Sequence, residues 1–210
     1  MKLWLAAPLL WVLPVLAQDG GVRSSPSEFI RTDRIVNYQR PEGKDRVQWF
    51  AVSTAGPINL LAGGPISAGF GTAVNRPKEY GPHWDGFGKR YGMRLTGVST
   101  GNAMEASLGA LWGEDPRYFP SPRRGFGTRL KYVIVTTFMA PHRDGTWHPA
   151  YARFAGNVGN NFLSNTWRER SESGAGDALV RCVFGVVGRM SGNALAEFWP
   201  DLRNRLWRKR

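Results

Sequence analysis

The sequence predicts an all-α fold, a compact bundle of about four or five helices with glycine and other small residues at the helix contacts. Two observations support this prediction. Apolar and small residues recur at steps of three and four residues in three segments, which is the spacing of one helix face. These segments also resemble one another, which indicates an internal repeat. A chain of 210 residues with 42% hydrophobic residues is ordinary for a single globular domain.

The first 17 residues have the pattern of a secretory signal peptide. Lys2 precedes an unbroken apolar run from Leu3 to Ala17. The run is shorter than the roughly 20 residues that span a bilayer, and a small residue such as Ala17 suits cleavage. An uncleaved N-terminal anchor is the alternative. We therefore expect an exported protein, periplasmic or associated with an envelope membrane, whose residues 18–45 form a flexible polar leader.

The net charge of +12 comes from 22 Arg and 6 Lys against 16 acidic residues. A basic surface suits anionic partners, but export argues against nucleic acid, so anionic membrane lipid or an anionic envelope polymer is the expected partner. Five of the cations lie in a basic C-terminal tail, residues 203–210. Cys182 is the single cysteine, so no internal disulfide is expected. A homo-oligomer is compatible with the sequence.

The helical domain is predicted to cover residues 46–202. From residue 46 to residue 74 the chain is apolar and is interrupted by two Gly-Pro steps, which predicts short, kinked helices. Segments 76–88 and 113–127 are rich in Gly, Pro and charged residues, which is typical of loops. The β-branched run 130–138 predicts an apolar helix or an extended connector.

The internal repeat is clearest in two loops with the pattern Pro-His-x-Asp-Gly, at residues 82–86 and 141–145. Matching residues follow at equal distances in both copies: Arg94 and Arg153, Gly97 and Gly156, and Asn102 and Asn161. A partial third copy carries Gly188 and Asn193 with the same separation as Gly97 and Asn102. The pattern therefore predicts three related helical units.

Each unit places small residues one helical turn apart. We predict that three helices contact one another through these positions: Gly97, Gly101, Gly156, Asn160, Gly188 and Gly192. An asparagine directly follows the second of these positions in each unit, and we expect its side chain to hydrogen-bond to a neighbouring helix: Asn102, Asn161 and Asn193. The alternative is that the glycines mark helix ends, since glycine costs about 1 kcal/mol inside a helix. Recurrence at one spacing favours packing.

The two histidine loops offer an alternative function. If the loops met, His83, Asp85, His142 and Asp144 would supply two imidazoles and two carboxylates, enough for a hydrolase or a metal-dependent enzyme. The competing interpretation is that each aspartate caps the start of a helix. We favour capping, and so expect no catalytic residue, no bound metal and no cofactor.

Two further patterns are weaker. Gly97-x-Ser99-x-Gly101 matches a nucleophile elbow, but no apolar strand leads into the serine, so we expect Ser99 to be inert. The acidic and basic side chains of residues 114–118 could bind a ligand, but we expect solvated ion pairs there. The sequence therefore favours an exported cell-envelope protein with a structural or interaction role. Its nine Trp residues, small-residue helices and basic tail are compatible with association with a membrane, and the alternative for the Trp residues is that they fill the core.

Overall fold

The computed structural model describes residue 35 and residues 38–207. The predicted signal peptide and most of the predicted leader lie outside the described residues, as do residues 208–210. Helix α1 begins at Gly43, so the last part of the predicted leader is helical. The final helix ends at Trp207, so residues 203–207 of the predicted tail are helical as well.

Helices dominate the described chain, and the predicted all-α bundle is confirmed. The α-helices are α1 (Gly43–Ala55), α2 (Gly64–Ala73), α3 (Trp84–Trp112), α4 (Phe126–Phe138), α5 (Tyr151–Leu163) and α6 (Ala175–Trp207), with a π-helical segment, Ile58–Gly63, between α1 and α2. Single 3-10 turns occupy Lys78–Tyr80, Ser164–Thr166 and Arg170–Glu172. Strands β1 (Met139–Pro141) and β2 (Trp147–Pro149) form a short antiparallel hairpin between α4 and α5.

Helix α3 is the element against which much of the bundle packs. Its 29 residues make a rod about 43 Å long. Helices α1 and α2, which precede α3 in the chain, run antiparallel to it. Helix α5 also runs antiparallel to α3 and begins next to its C-terminal end. Helix α6 packs against α4 and α5. The bundle therefore has a lower end, where α3 begins, and an upper end, where α3 stops.

The ends of α3 are fixed by local chemistry. At the upper end Gly113 adopts a left-handed φ of 84° and donates its N–H to the Gly109 carbonyl, which favours glycine at this helix stop. At the lower end the buried Arg90 side chain donates hydrogen bonds to the carbonyls of Arg76, Pro77 and Gly81. A single guanidinium therefore holds the loop between α2 and α3.

Two of the predicted small-residue contacts lie where α3 and α5 cross. A Cβ atom at Gly156 would stand 3.0 Å from the Glu105 backbone nitrogen and 3.3 Å from the Gly101 carbonyl oxygen. A Cβ atom at Gly101 would stand 3.3 Å from the amide nitrogen of Asn160, and one at Gly97 would stand 4.0 Å from it. The missing side chains at Gly101 and Gly156 let the two helix backbones approach closely.

The predicted packing at Gly188 and Gly192 is wrong within the described chain. Both glycines are exposed, and a Cβ atom at either would have no other atom within 4 Å. The inward side of α6 carries Arg189 and Asn193 instead, which reach other helices. Gly185 is the glycine of α6 that meets a neighbour, the side chain of Asn157.

The three predicted asparagines differ in their partners. Asn102 donates to the Thr54 hydroxyl at 3.1 Å and joins α3 to α1. Asn193 donates to the Thr137 hydroxyl at 3.3 Å and joins α6 to α4. The Asn161 amide donates to the Asn157 backbone and side-chain oxygens within α5, and the Asn161 side chain also hydrogen-bonds to Cys182 of α6. The backbone carbonyl of Asn161 accepts a further hydrogen bond from Arg181 of α6.

The glycine contact between α3 and α5 can be tested by adding one methyl group. We expect Gly156→Ala to lower the free energy of unfolding by about 1 to 3 kcal/mol, because the methyl group meets backbone atoms that cannot move aside. The matched variant Gly192→Ala meets open space and should be neutral or stabilise by up to about 1 kcal/mol through helix propensity. Thermal unfolding followed by circular dichroism measures both. Equal effects in the two variants would contradict the contact.

Candidate functional surface

The two histidine loops lie at opposite ends of α3. His83 directly precedes the helix, whereas the His142 Nε2 atom lies 3.9 Å from Glu114 Oε1, two residues past the helix end. The length of α3 therefore separates them by about 40 Å. The structure does not bring His83, Asp85, His142 and Asp144 into one site. The shared site that the enzyme hypothesis required therefore does not form.

The capping interpretation also needs correction. Asp85 lies in the first turn of α3, is exposed, and pairs with Lys89 one turn later. Asp144 accepts the N–H and hydroxyl of Thr146, so it stabilises the turn of the β-hairpin rather than a helix start. The Pro-His-x-Asp-Gly pattern therefore leads into a helix in the first copy and forms the turn of a hairpin in the second. Ser99 lies inside α3 and not at a strand-to-helix turn.

The centre of the bundle holds a buried group of charges from three helices. Glu105 of α3 accepts a hydrogen bond from Arg153 of α5 at 3.1 Å and another from Arg189 of α6. Arg153 also donates to the carbonyls of Thr136, Thr137 and Met139 at the end of α4. One carboxylate and two guanidinium groups thereby connect four helices. The repeat pattern drew attention to Arg153, but nothing in the local sequence linked it to Glu105.

Two further carboxylates are buried close to the upper end of the bundle. Asp115 accepts bonds from the Tyr38 hydroxyl and from the Arg117 guanidinium. Glu197 accepts bonds from the Tyr118 hydroxyl and from Arg129. Desolvation and the neighbouring carboxylate raise the pKa of each tyrosine well above its usual value. Tyr38 and Tyr118 therefore act as neutral hydrogen-bond donors.

Glu114 is also buried, with 2% of its surface exposed, so the solvated ion pairs predicted for residues 114–118 are wrong. Its Oε2 atom accepts the Ala152 N–H at 2.9 Å, which places a carboxylate at the positive end of α5. Burial raises the pKa of Glu114. The sequence could not reveal this role, because the helix that Glu114 caps begins 37 residues later.

His142 lies beside Glu114 and His148. The two imidazole rings are 4.5 Å apart between centroids, and the Nε2 atom of His142 and the Oε1 atom of Glu114 are both buried without a hydrogen-bond partner. Burial, and then the nearby His148, lower the pKa of His142. No group of three or more His, Cys, Asp or Glu side chains among the described residues could hold a metal ion.

Two pockets beside the buried charges are small. A pocket lined by residues such as Arg117, Tyr118 and Trp147 has a volume of about 10 Å³, enough for one water molecule. A second pocket lies between Glu105 and Glu114 and is smaller still. The buried charges are therefore packed against protein, not around a cleft.

The surface of the bundle is rich in hydrophobic side chains, whereas its interior is rich in polar and charged ones. Among the described residues, 26 large hydrophobic side chains are exposed, while the buried residues other than Gly and Pro are nine hydrophobic and thirteen polar or charged ones. Four stretches carry no exposed charged residue: 47–74, 91–112, 151–167 and 178–200. We call their outward surface the uncharged belt. The charged side chains within these stretches are buried or half-buried: Arg94, Glu105, Arg153, Arg181, Arg189 and Glu197.

The belt has a definite height and edges. Along α3 and α6 it covers 22 and 23 residues, or about 33 to 35 Å. Exposed aromatic residues stand at both edges: Trp167 at the lower one, and Trp112, Tyr151 and Trp199 at the upper one. The lower end consists of residues 75–90 and 168–177. The upper end consists of residues 38–46, 113–150 and 201–207, and all exposed charges of residues 38–207 lie in these two ends.

No protein-family model, curated protein or solved structure matches this chain. Within the part of the chain that the structure describes, no helix combines the length and the mean hydropathy needed to cross a membrane.

The central ion pairs predict a large loss of stability on removing one partner. We expect Glu105→Gln to lower the free energy of unfolding by about 3 to 5 kcal/mol, because the buried Arg153 and the half-buried Arg189 then lose their carboxylate. Asp85→Asn on the same helix removes an exposed pair and should change it by less than about 0.5 kcal/mol. The double variant Glu105→Gln/Arg189→Met should recover part of the loss. A small effect of Glu105→Gln in chemical unfolding would contradict a buried pair.

The lowered pKa of His142 predicts a pH dependence. The unfolded chain binds the His142 proton at about 6.5, and the folded protein binds it only at lower pH. Between these values the unfolded state holds more protons, so stability should fall as the pH drops below about 6.5. NMR titration of the imidazole measures the pKa directly, and His148→Gln should raise it by removing a like charge. A His142 pKa at or above 6.5 would be inconsistent with its burial.

Proposed function

We propose that this protein is a structural protein of the cell envelope whose helical bundle is embedded in the acyl region of a membrane. The observation that carries this proposal is the uncharged belt, which surrounds a polar and ionic interior. The apolar run 3–17 supplies the expectation of export. A structural or interaction role is favoured because the histidine loops are separated and the two pockets beside the buried charges hold no more than a water molecule.

The extent of the exposed apolar surface supports lipid as its environment. Soluble monomers rarely expose contiguous apolar patches of more than a few hundred Å². Here exposed apolar side chains occur on every α-helix and include Val52, Phe70, Val158 and Phe184. A single partner protein would cover one face, whereas acyl chains can cover all faces at once. The belt height of about 33 to 35 Å is close to the roughly 30 Å hydrocarbon thickness of a bilayer.

The interior supports the same environment. Charged side chains within membrane-embedded bundles face inward and pair with one another or with backbone carbonyls. Glu105, Arg153 and Arg189 are arranged in this way. Close helix contact at small residues, as at Gly101 and Gly156, is also typical of helices packed in lipid. These inward residues lower the mean hydropathy of each helix, although lipid would contact only the outward ones.

The aromatic residues at the belt edges fit the two boundaries between lipid and water. Trp and Tyr are enriched there because their rings are apolar and their N–H or O–H groups remain hydrated. Trp167 at one edge, and Trp112 and Trp199 at the other, are exposed at the level where the exposed charges begin. Both edges therefore have the composition expected at a membrane surface.

Fractionation of cells that produce the full-length protein tests the proposal. We expect the protein in the membrane fraction, resistant to concentrated salt and released by detergent, because buried apolar contact does not depend on ionic strength. Release by salt would indicate peripheral electrostatic attachment instead. Recovery in the soluble periplasmic fraction at low salt would contradict any membrane association.

A charge placed in the middle of the belt provides a sharper test. Val52 is 60% exposed and lies at mid-height, near the Thr54–Asn102 contact. Val52→Arg should reduce the membrane-bound fraction, since a central arginine costs about 2.5 to 3.5 kcal/mol or more in lipid. Pro122→Arg makes the same type of change at an exposed position of the upper end and should leave that fraction unchanged. If both variants stay fully membrane-bound, the belt does not contact lipid.

A further inference from the structure

The two ends of the bundle carry different charge. At the upper end seven exposed cations stand against three exposed anions: Arg40, Lys44, Arg124, Lys131, Arg143, Arg203 and Arg205 against Glu42, Asp144 and Asp201. At the lower end four exposed cations stand against four exposed anions: Arg76, Lys78, Lys89 and Arg170 against Glu79, Asp85, Glu169 and Asp177. The upper end is therefore strongly positive, and the lower end is balanced.

The end of α6 adds a second feature to the upper end. Trp199, Leu202 and Leu206 are exposed and, at steps of three and four residues, share one side of the helix. Arg203 and Arg205 flank this apolar side, at about 70° and 90° from its centre on a helical projection of 100° per residue. This arrangement is typical of a helix segment at a membrane surface, with apolar residues toward the acyl chains and arginines at the headgroups.

We propose that the upper end binds the phosphate groups of anionic phospholipids, and that the lower end does not. This inference rests on the proposed embedding of the belt, because only then do Arg124, Arg203 and Arg205 lie at headgroup level. The belt edge at Trp112 and Trp199 places the basic residues just beyond the acyl region. Arginine suits this ligand because its planar guanidinium can donate two hydrogen bonds to one phosphate. Arg129 is engaged by Glu197 and Asp201 and is not part of the proposed contact.

The test compares matched charge reversals at the two ends. The upper variant is Arg124→Glu/Arg203→Glu/Arg205→Glu, and the lower variant is Arg76→Glu/Lys78→Glu/Arg170→Glu. The full-length protein and both variants are reconstituted into vesicles of equal parts phosphatidylcholine and phosphatidylglycerol. They are then extracted in mild detergent, and the ratio of the two co-purifying lipids is measured.

We expect the unmodified protein to enrich phosphatidylglycerol, and the upper variant to lose that enrichment by at least about tenfold, since each surface cation contributes about fivefold. The lower variant should keep it. No enrichment by the unmodified protein, or equal loss in both variants, would overturn the inference. Flotation with vesicles of phosphatidylcholine alone separates the two proposals. Failure to float there argues against the embedded belt, whereas flotation without phosphatidylglycerol enrichment argues only against headgroup binding.

Discussion

The shared carboxylate of Glu105 is the interaction on which the bundle depends. Its two guanidinium partners come from α5 and α6, and Arg153 extends the connection to the carbonyls that end α4. A buried charge of this kind is costly unless it is fully paired, so the four helices must meet with little freedom in position. Gly156 makes the approach possible, because its Cα side lies against the backbone of Glu105 itself. The glycine contact and the ion pairs are therefore parts of one arrangement.

This arrangement also determines which residues face outward. Once the polar stripe of a helix is committed to the interior, its apolar side is left on the surface. Helix α5 illustrates this: Arg153, Asn160 and Asn161 are buried, while Val158 is exposed. In water, burying the polar stripe and exposing the apolar side would lose the stabilisation from apolar burial, which is about 25 cal/mol per Å². In lipid this stabilisation would not be lost, because acyl chains would surround the exposed apolar side.

The sequence predicted the helices well and their partners less well. Periodicity and Gly-Pro steps depend on neighbouring residues, so the helices and several loops could be found locally. Packing at Gly101 and Gly156 followed from small residues that face each other across one crossing, whereas Gly188 and Gly192 show the same spacing on an uncovered side of α6. Glu114 was expected in solvent because its partner, the start of α5, is remote in sequence.

A local sequence pattern does not show whether the polar or the apolar face of a helix points into the bundle. In α6, Arg189, Asn193 and Glu197 recur every four residues, and by the rule for soluble proteins this stripe would face water. In the structure each of the three reaches a polar group on another element: Glu105, Thr137 and Tyr118. Periodicity fixes the angle between the polar and apolar faces, but the surrounding medium decides which face is inside. A helix with modest mean hydropathy can thus present a wholly uncharged surface, because its charges are the groups that hold the bundle together.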